Sequence, residues 1–174
     1  ANFLTETYAS PFMRVPNSGA YTGGKNAIRK SVMSDGQIRH MKGDIVPPDN
    51  WNHFNCECKN YASFPFHRLL FNDRIPQLED WLAQIRDAAD VGDVNILFMK
   101  ITRVGKFVAF ETSQNFLTNR SVNYIDDATW EWRITEFDSF VRTEGEILGK
   151  VRLNGKFTLK EVMEHGMQYH KLSF

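Results

Sequence analysis

Residues 53–61 read HFNCECKNY, and this stretch decides the fold because charged and apolar side chains alternate along it. Successive side chains of a β-strand point to opposite faces. Glu57 and Lys59 therefore share one face of the predicted strand. The other face carries the apolar set, Phe54, Cys56 and Cys58. We predict that the apolar face anchors the strand and holds the carboxylate and the ammonium rigidly over a site.

A second carboxylate, Asp44, follows Gly43 upstream of this strand. Hard cations such as Mg2+ prefer oxygen ligands, and one or two carboxylates plus a substrate phosphate are a typical set. We expect Asp44 and Glu57 to bind such a metal, and Lys59 to stabilise developing charge or to orient a water. A charged strand face is also typical of solvated surface, so the flanking sequence has to decide between the two interpretations.

The segment before Asp44 is suited to contact with phosphate. Residues 12–20 read FMRVPNSGA, and Gly23-Gly24 follow. Such a segment can present backbone N–H groups, a hydroxyl and an Arg to phosphate oxygens. In chain order the motifs are Arg-x-Pro-x-Ser-Gly-Ala, then Gly-Asp-Ile, then Glu-Cys-Lys-Asn-Tyr.

With these motifs in this order, the sequence resembles the PD-(D/E)xK nuclease superfamily, and within it the archaeal Holliday junction resolvases and related phage nucleases. The likeness covers roughly residues 12–111. It implies a restriction-endonuclease-like core, and Mg2+ or Mn2+ bound by Asp44, Glu57 and the backbone carbonyl of Cys58. It also implies catalytic roles for Lys59 and for a polar residue on the following helix, for which Gln84 is the candidate. Arg14, Ser18 and Gly19 would then form a loop near the scissile phosphate.

The chain departs from the resolvase pattern at its amino-terminal end. Such resolvases usually carry another metal-site glutamate on a first helix well upstream of the Arg-containing strand. Glu6 is the only acidic residue ahead of Arg14. Either Glu6 fills that role on a shortened helix, or residues ahead of Ala1 supply it, or two carboxylates suffice.

Composition sets wider bounds. With 174 residues, 42% hydrophobic, the chain can bury a sizeable single core. No apolar run approaches a membrane span and no signal peptide is visible, which predicts a cytoplasmic protein without a membrane partner. The two cysteines, spaced Cys-x-Cys in a strand, are expected to be reduced thiols. A zinc site with His53 and His67 is the alternative, which this spacing disfavours.

The chain has zero net charge, whereas nucleic-acid binders usually carry a basic surplus. The charges are unevenly distributed, however. Residues 1–43 hold six Lys or Arg against two acids, and residues 148–174 hold five against two. We expect the first segment to contact DNA, through Arg14, Lys25, Arg29, Lys30, Arg39 and Lys42. Without the metal motif, a well-mixed surface would be the simpler interpretation.

Hydrophobic periodicity predicts an α/β fold, in which helices flank a central mixed sheet. An apolar stripe at helical spacing begins at Pro76 and ends near Gly92, and the apolar run Val94–Ile101 is typical of a buried central strand. We expect a nuclease core at residues 1–112. Residues 113–174 should be a strand and helix extension of the same domain, which contributes to a dimer interface or to DNA contacts. Trp130 and Trp132 alternate along a strand there and are expected to be core residues.

Together these features predict a metal-dependent DNA endonuclease that acts on branched DNA as a homodimer. A four-way junction offers two equivalent strands, which a twofold dimer would meet with two identical sites. Only the resemblance supports junction specificity, because the same core serves exonucleases and repair nickases. A non-catalytic DNA-binding module and a Mg2+-binding structural protein are the alternatives from other classes.

Overall fold

The computed structural model describes residues 1–15, 42–51, 53–114, 116, 118, 120–141 and 159–165. Its helices are α1 (Asn2–Tyr8), α2 (Phe66–Leu70), α3 (Pro76–Ala88) and α4 (Leu159–His165), with a further helical stretch at residues 137–141. Its strands are β1 (Met13–Arg14), β2 (Ile45–Val46), β3 (Phe54–Tyr61), β4 (Val94–Ile101), β5 (Gly105–Glu111), β6 (Val122–Ile125) and β7 (Glu131–Glu136). In this part of the chain, the helices lack the length and apolar character needed to cross a bilayer.

The main sheet has five strands in the order β3-β4-β5-β7-β6. β3 and β4 are parallel, and every other pair is antiparallel. Parallel neighbours need a crossover connection, and α3 supplies it between β3 and β4. β1 and β2 form a separate antiparallel pair. β6 and β7, which lie beyond residue 112, complete the sheet that begins with β3 and so belong to the central layer.

Each face of the sheet carries its own hydrophobic core. On one face, Leu78, Leu82 and Ile85 of α3 pack on β4, β5 and β7. On the other face, α1, the 137–141 stretch and α4 cover a cluster that includes Trp51 and Phe110. The side-chain alternation of β3 therefore assigns Glu57 and Lys59 to the α3 face.

The predicted α/β fold with a mixed central sheet and flanking helices is confirmed, and it is consistent with the restriction-endonuclease-like core that the resemblance implies. α3 begins at Pro76, as expected, and this proline occupies its first turn. The helix buries apolar residues of the predicted stripe. β4 occupies residues 94–101 between β3 and β5. Trp132 is fully buried, which confirms the core interpretation for this residue, whereas Trp130 precedes β7, is half-buried and stacks beside Trp132.

The prediction that Cys58 anchors β3 was wrong. Phe54 and Cys56 are buried, but Cys58 is exposed. β3 is an edge strand, and its burial decreases toward its carboxyl end. Alternation identifies the face on which a side chain lies, but the length of the layer that covers this face decides whether the side chain is buried.

Candidate active site

A cavity of about 890 Å³ opens at the carboxyl ends of β3 and β4. It is lined by parts of β3, β4 and β5, by the amino-terminal turn of α1 and by the β1–β2 pair. The lining includes most of the predicted catalytic set, namely Arg14, Asp44, Glu57, Cys58, Lys59 and Gln84. Residues separated by up to 70 positions in the chain thus meet at one place.

Asp44 is held at the free edge of β3 by three hydrogen bonds. Its backbone N–H donates to the Cys56 carbonyl at 2.9 Å, and its own carbonyl accepts from the Val15 N–H at 3.0 Å. Its Oδ2 accepts from the Cys58 N–H at 2.7 Å. These bonds fix the carboxylate beside the strand that carries Glu57.

Gly43 makes this close approach possible. Its φ is +61°, a left-handed conformation that L side chains rarely adopt. A Cβ added at this position would lie 2.3 Å from the Cys56 carbonyl oxygen, well inside van der Waals contact. Only glycine therefore fits between Lys42 and Asp44 without displacing the backbone of β3.

Glu57, Lys59 and Gln84 form a hydrogen-bonded chain. Lys59 Nζ donates to Glu57 Oε1 at 2.5 Å and to Gln84 Oε1 at 2.5 Å. The side chains of Glu57 and Lys59 are only 13% and 14% exposed, so the pair is largely shielded from water. Burial raises the pKa of the Glu57 carboxyl; the hydrogen bond and charge of Lys59 oppose that rise, and the charge of Asp44 adds to it.

Buried polar contacts fix α3, and with it Gln84, over β3. Asn55 Nδ2 donates to the Ile85 carbonyl of α3 at 3.1 Å and to Asn95 Oδ1 of β4 at 2.7 Å. At the other side of the sheet, Arg86 pairs with Asp126, whose side chain is completely buried. The helix is thus attached to both edges of the sheet through the two residues that follow Gln84, which limits its freedom to move away from Lys59.

The chemistry of this donor set fits a hard divalent cation. Asp44 Oδ1 and Glu57 Oε2 have no hydrogen-bond partner among the described residues, so each carboxylate keeps one oxygen available. The two carboxylates repel each other, which a shared cation would offset. The N–H and C=O groups of one strand residue point to the same side, so the Cys58 carbonyl faces the Asp44 side as its N–H does.

The structure does not bring Glu6 to this site. Glu6 lies on the exposed part of α1 and does not line the cavity. Across the described ranges, no cluster of three or more His, Cys, Asp or Glu side chains is arranged to hold a metal. The carboxylates that the described residues supply to the cavity are therefore Asp44 and Glu57.

Lys42 is also placed elsewhere. Its side chain is 9% exposed, and its ammonium pairs with Asp93 and, at 2.8 Å, with Asp90. Asp93 is itself only 3% exposed, so the charge of Lys42 is already neutralised inside the protein. We therefore leave Lys42 out of the proposed DNA contacts. Its pairing instead ties the start of the Gly43 turn to the loop between α3 and β4.

The remaining residues of the predicted phosphate-binding segment lie outside the described residues. They are Ser18, Gly19, Lys25, Arg29, Lys30 and Arg39.

Two lysines of the cavity were missed by the sequence reasoning. Lys100 and Lys106 both line it, and they are directly opposite each other in the β4–β5 hairpin. Residues 103–106 read RVGK, which is typical of a turn, and a count outward from this turn would have paired these two positions. The missing information was that this hairpin lies beside Lys59.

Comparison with known families agrees with this geometry. The family model described as "Phage putative PDDEXK endonuclease" matches residues 1–148. The match extends on both sides of the resemblance seen in the motifs, and includes β6, β7 and α1. Neither a curated protein nor a solved structure gives a significant match. A family model that covers most of the chain decides the matter: this protein belongs to the phage putative PDDEXK endonuclease family, and so to the PD-(D/E)xK nucleases.

Proposed function

We propose that this chain is a DNA endonuclease that uses Mg2+, or Mn2+ in its place, and hydrolyses phosphodiester bonds in the cavity at the end of β3. The observation that carries the proposal is the convergence of Asp44, Glu57, Lys59 and Gln84 on one cavity, with the lysine bonded to both Glu57 and Gln84. PD-(D/E)xK nucleases generally use divalent metals, and the family implies a DNA substrate.

In this proposal Asp44 and Glu57 hold the metal, together with the Cys58 carbonyl. A bound divalent cation would polarise the phosphoryl oxygen and lower the pKa of a water. Asp44 is suited to the role because its backbone and one carboxylate oxygen are already fixed, so little conformational entropy is lost on binding.

Lys59 would stabilise the negative charge that develops on the phosphoryl group. A side chain with four rotatable bonds needs restraint to do this well, because preorganised charge costs no rearrangement during the reaction. Glu57 and Gln84 supply that restraint through their two hydrogen bonds to Nζ. An ammonium has three donors, so one N–H remains to reach the substrate. Gln84 is thus a positioning residue in this account.

Arg14 is the described cation of the predicted phosphate loop that lines the cavity. It lies on β1, opposite Ile45 of β2, one residue from Asp44. We propose that it contacts the phosphate that is cleaved or the next one along the strand.

We further propose that the preferred substrate is branched DNA and that the active form is a homodimer. The motif resemblance to junction resolvases supports the first point. The second follows from symmetry, because two identical sites match the two equivalent strands of a four-way junction.

The test is incubation with a labelled four-way junction, a linear duplex and a single strand, each with and without Mg2+. We expect cleavage only with metal, at internal positions, and fastest on the junction. Asp80→Asn is a matched control for the active-site variants, since Asp80 is an exposed carboxylate on α3 that does not line the cavity. Binding without cleavage under all conditions would point to a DNA-binding module, and shortening from the ends alone would point to an exonuclease.

A further inference from the structure

The β4–β5 hairpin places two like charges side by side. Lys100 of β4 and Lys106 of β5 are directly opposite each other in the antiparallel register. Like charges at such positions destabilise a sheet, because their side chains lie within a few ångströms of each other. A pair of this kind is therefore unfavourable for the hairpin itself, and a negatively charged group beside it would offset the repulsion.

Among the described residues, only one of the two lysines has a negatively charged partner. Lys106 Nζ donates to Asp138 Oδ1 at 2.7 Å, with both side chains more than 40% exposed. Lys100 is exposed, and the described residues make no hydrogen bond or ion pair with its ammonium. Lys100, Lys106 and Asp138 together therefore carry a net charge of +1.

Both lysines line the cavity that holds Asp44 and Glu57. Lys100 is next to Met99, which is paired with Lys59 in the parallel β3–β4 register. Alternation turns Lys100 and Lys106 to the α1 face, whereas Lys59 lies on the α3 face. The cavity reaches both faces of the sheet at the end of the strands. Lys59 therefore lies at one position in the cavity, and Lys100 and Lys106 lie at another.

Lys106 is also held in place by aromatic side chains. Its Nζ lies 5.1 Å from the centroid of the Phe3 ring and 5.4 Å from that of Phe137. These rings restrict a long side chain that would otherwise be mobile, and they leave the ammonium on the cavity wall.

We propose that Lys100 and Lys106 form a second phosphate-binding position, which takes a backbone phosphate of the bound DNA strand next to the phosphate at Asp44 and Glu57. This inference rests on the proposed nuclease function. A phosphate between the two ammonium groups would offset their mutual repulsion. Because this phosphate would lie on the α1 face, the bound DNA strand would pass around the carboxyl end of β3. The alternative is that the two lysines are ordinary solvent-exposed surface residues and bind no phosphate.

The test is the salt dependence of DNA binding, measured by fluorescence anisotropy with a labelled duplex and with Ca2+ in place of Mg2+ to suppress cleavage. The variants are Lys100→Met, Lys106→Met and the double variant. Met keeps an unbranched side chain of similar length and removes the charge. The two lysines share one phosphate, and each phosphate contact that is lost should reduce the slope of log affinity against log salt by about 0.9, so the double variant should lose about 0.9.

The matched control is Arg103→Asn in the turn of the same hairpin. Arg103 is exposed and does not line the cavity, and its φ of +61° is a conformation that Asn tolerates. Its slope should equal that of the unsubstituted protein, and thermal unfolding should show all four variants folded. If Lys106→Met fails to fold, Lys100→Met alone decides the matter, because Lys100 has no partner to lose within the described chain.

Parallel salt plots for the unsubstituted protein and the double variant, with Mg2+-dependent cleavage intact, would overturn the lysine site and leave the nuclease assignment standing. A slope that falls equally in Arg103→Asn would also overturn it, because the effect would then be one of general charge. An unsubstituted protein that neither binds nor cleaves DNA would overturn both proposals.

Discussion

Replacement of Gly43 by Ala tests whether the backbone before Asp44 positions the site. The φ of +61° costs an L residue about 1–2 kcal/mol. The added Cβ would lie 2.3 Å from the Cys56 carbonyl oxygen, which belongs to the backbone of β3 and cannot rotate away. Relief requires the turn to move outward, which weakens the bonds of Asp44 to the Cys56 carbonyl and the Cys58 N–H, each worth about 0.5–1.5 kcal/mol net.

The sum predicts that Gly43→Ala lowers the free energy of unfolding by about 2–5 kcal/mol. The same shift moves the Asp44 carboxylate, so we expect Mg2+-dependent cleavage to be lost under conditions in which the variant is fully folded. Urea unfolding followed by tryptophan fluorescence measures the first quantity, and single-turnover cleavage measures the second.

The control for Gly43→Ala is Gly105→Ala. Gly105 also has positive φ, at +154°, but its added Cβ meets only the Phe107 ring at 3.6 and 3.7 Å, which is ordinary contact. Gly105→Ala should therefore show the backbone strain without displacing Asp44. The reasoning is refuted if Gly43→Ala remains within about 0.5 kcal/mol of the unsubstituted protein and cleaves at the same rate.

Three further predictions concern the groups around the site. Lys59→Ala should lower kcat by about 10²–10³-fold with little change in KM, since we propose that its charge acts in the transition state; a change confined to KM would make it a simple phosphate contact. Lys42→Met should destabilise the protein by about 3–5 kcal/mol, because it removes the ammonium that neutralises the buried carboxylate of Asp93, and addition of Asp93→Asn should recover part of the loss in a double-mutant cycle. Burial, and then the hydrogen bond to Glu79, raise the pKa of Tyr124 from 10 to about 12. The folded state therefore keeps this proton longer than the unfolded state, so the stability that Tyr124 contributes relative to Tyr124→Phe should be full below pH 10 and decline between pH 10 and 12, as urea unfolding across this window would show.

The parts of the fold that the sequence predicted are those governed by local periodicity. The alternation in residues 53–61 predicted β3, the helical stripe after Pro76 predicted α3, and the unbroken apolar run predicted β4. In each of these elements the direction of a side chain repeats with the period of the strand or helix. The apolar positions therefore reveal which residues face the core without any knowledge of distant contacts.

The pairings between distant residues could not be predicted in this way. Lys42 was grouped with the cations expected to bind DNA because it lies in a basic segment. Its partner Asp93 is 51 positions away and becomes a neighbour only when α3 has crossed the sheet. A count of charges along the chain cannot distinguish a free ammonium from one that is already paired.

The extent of a layer is also invisible in the sequence. Cys58 has the same alternation as Cys56, yet it faces the cavity because the cover on that face ends before it. Lys100 and Lys106 were unassigned for a similar reason, since only the position of the hairpin beside β3 shows that they share a cavity with Glu57.

The most direct test of the central claim, that Asp44 and Glu57 hold the catalytic metal, is the single-turnover cleavage rate of Asp44→Asn and Glu57→Gln over a titration of Mg2+. Both substitutions preserve the size of the side chain and remove a charge that a hard cation requires. We predict that neither variant cleaves DNA above the metal-free background, whereas Asp80→Asn cleaves at the unsubstituted rate and all three unfold at similar urea concentrations. Cleavage by either active-site variant at the unsubstituted rate and at the same Mg2+ concentration would contradict the claim.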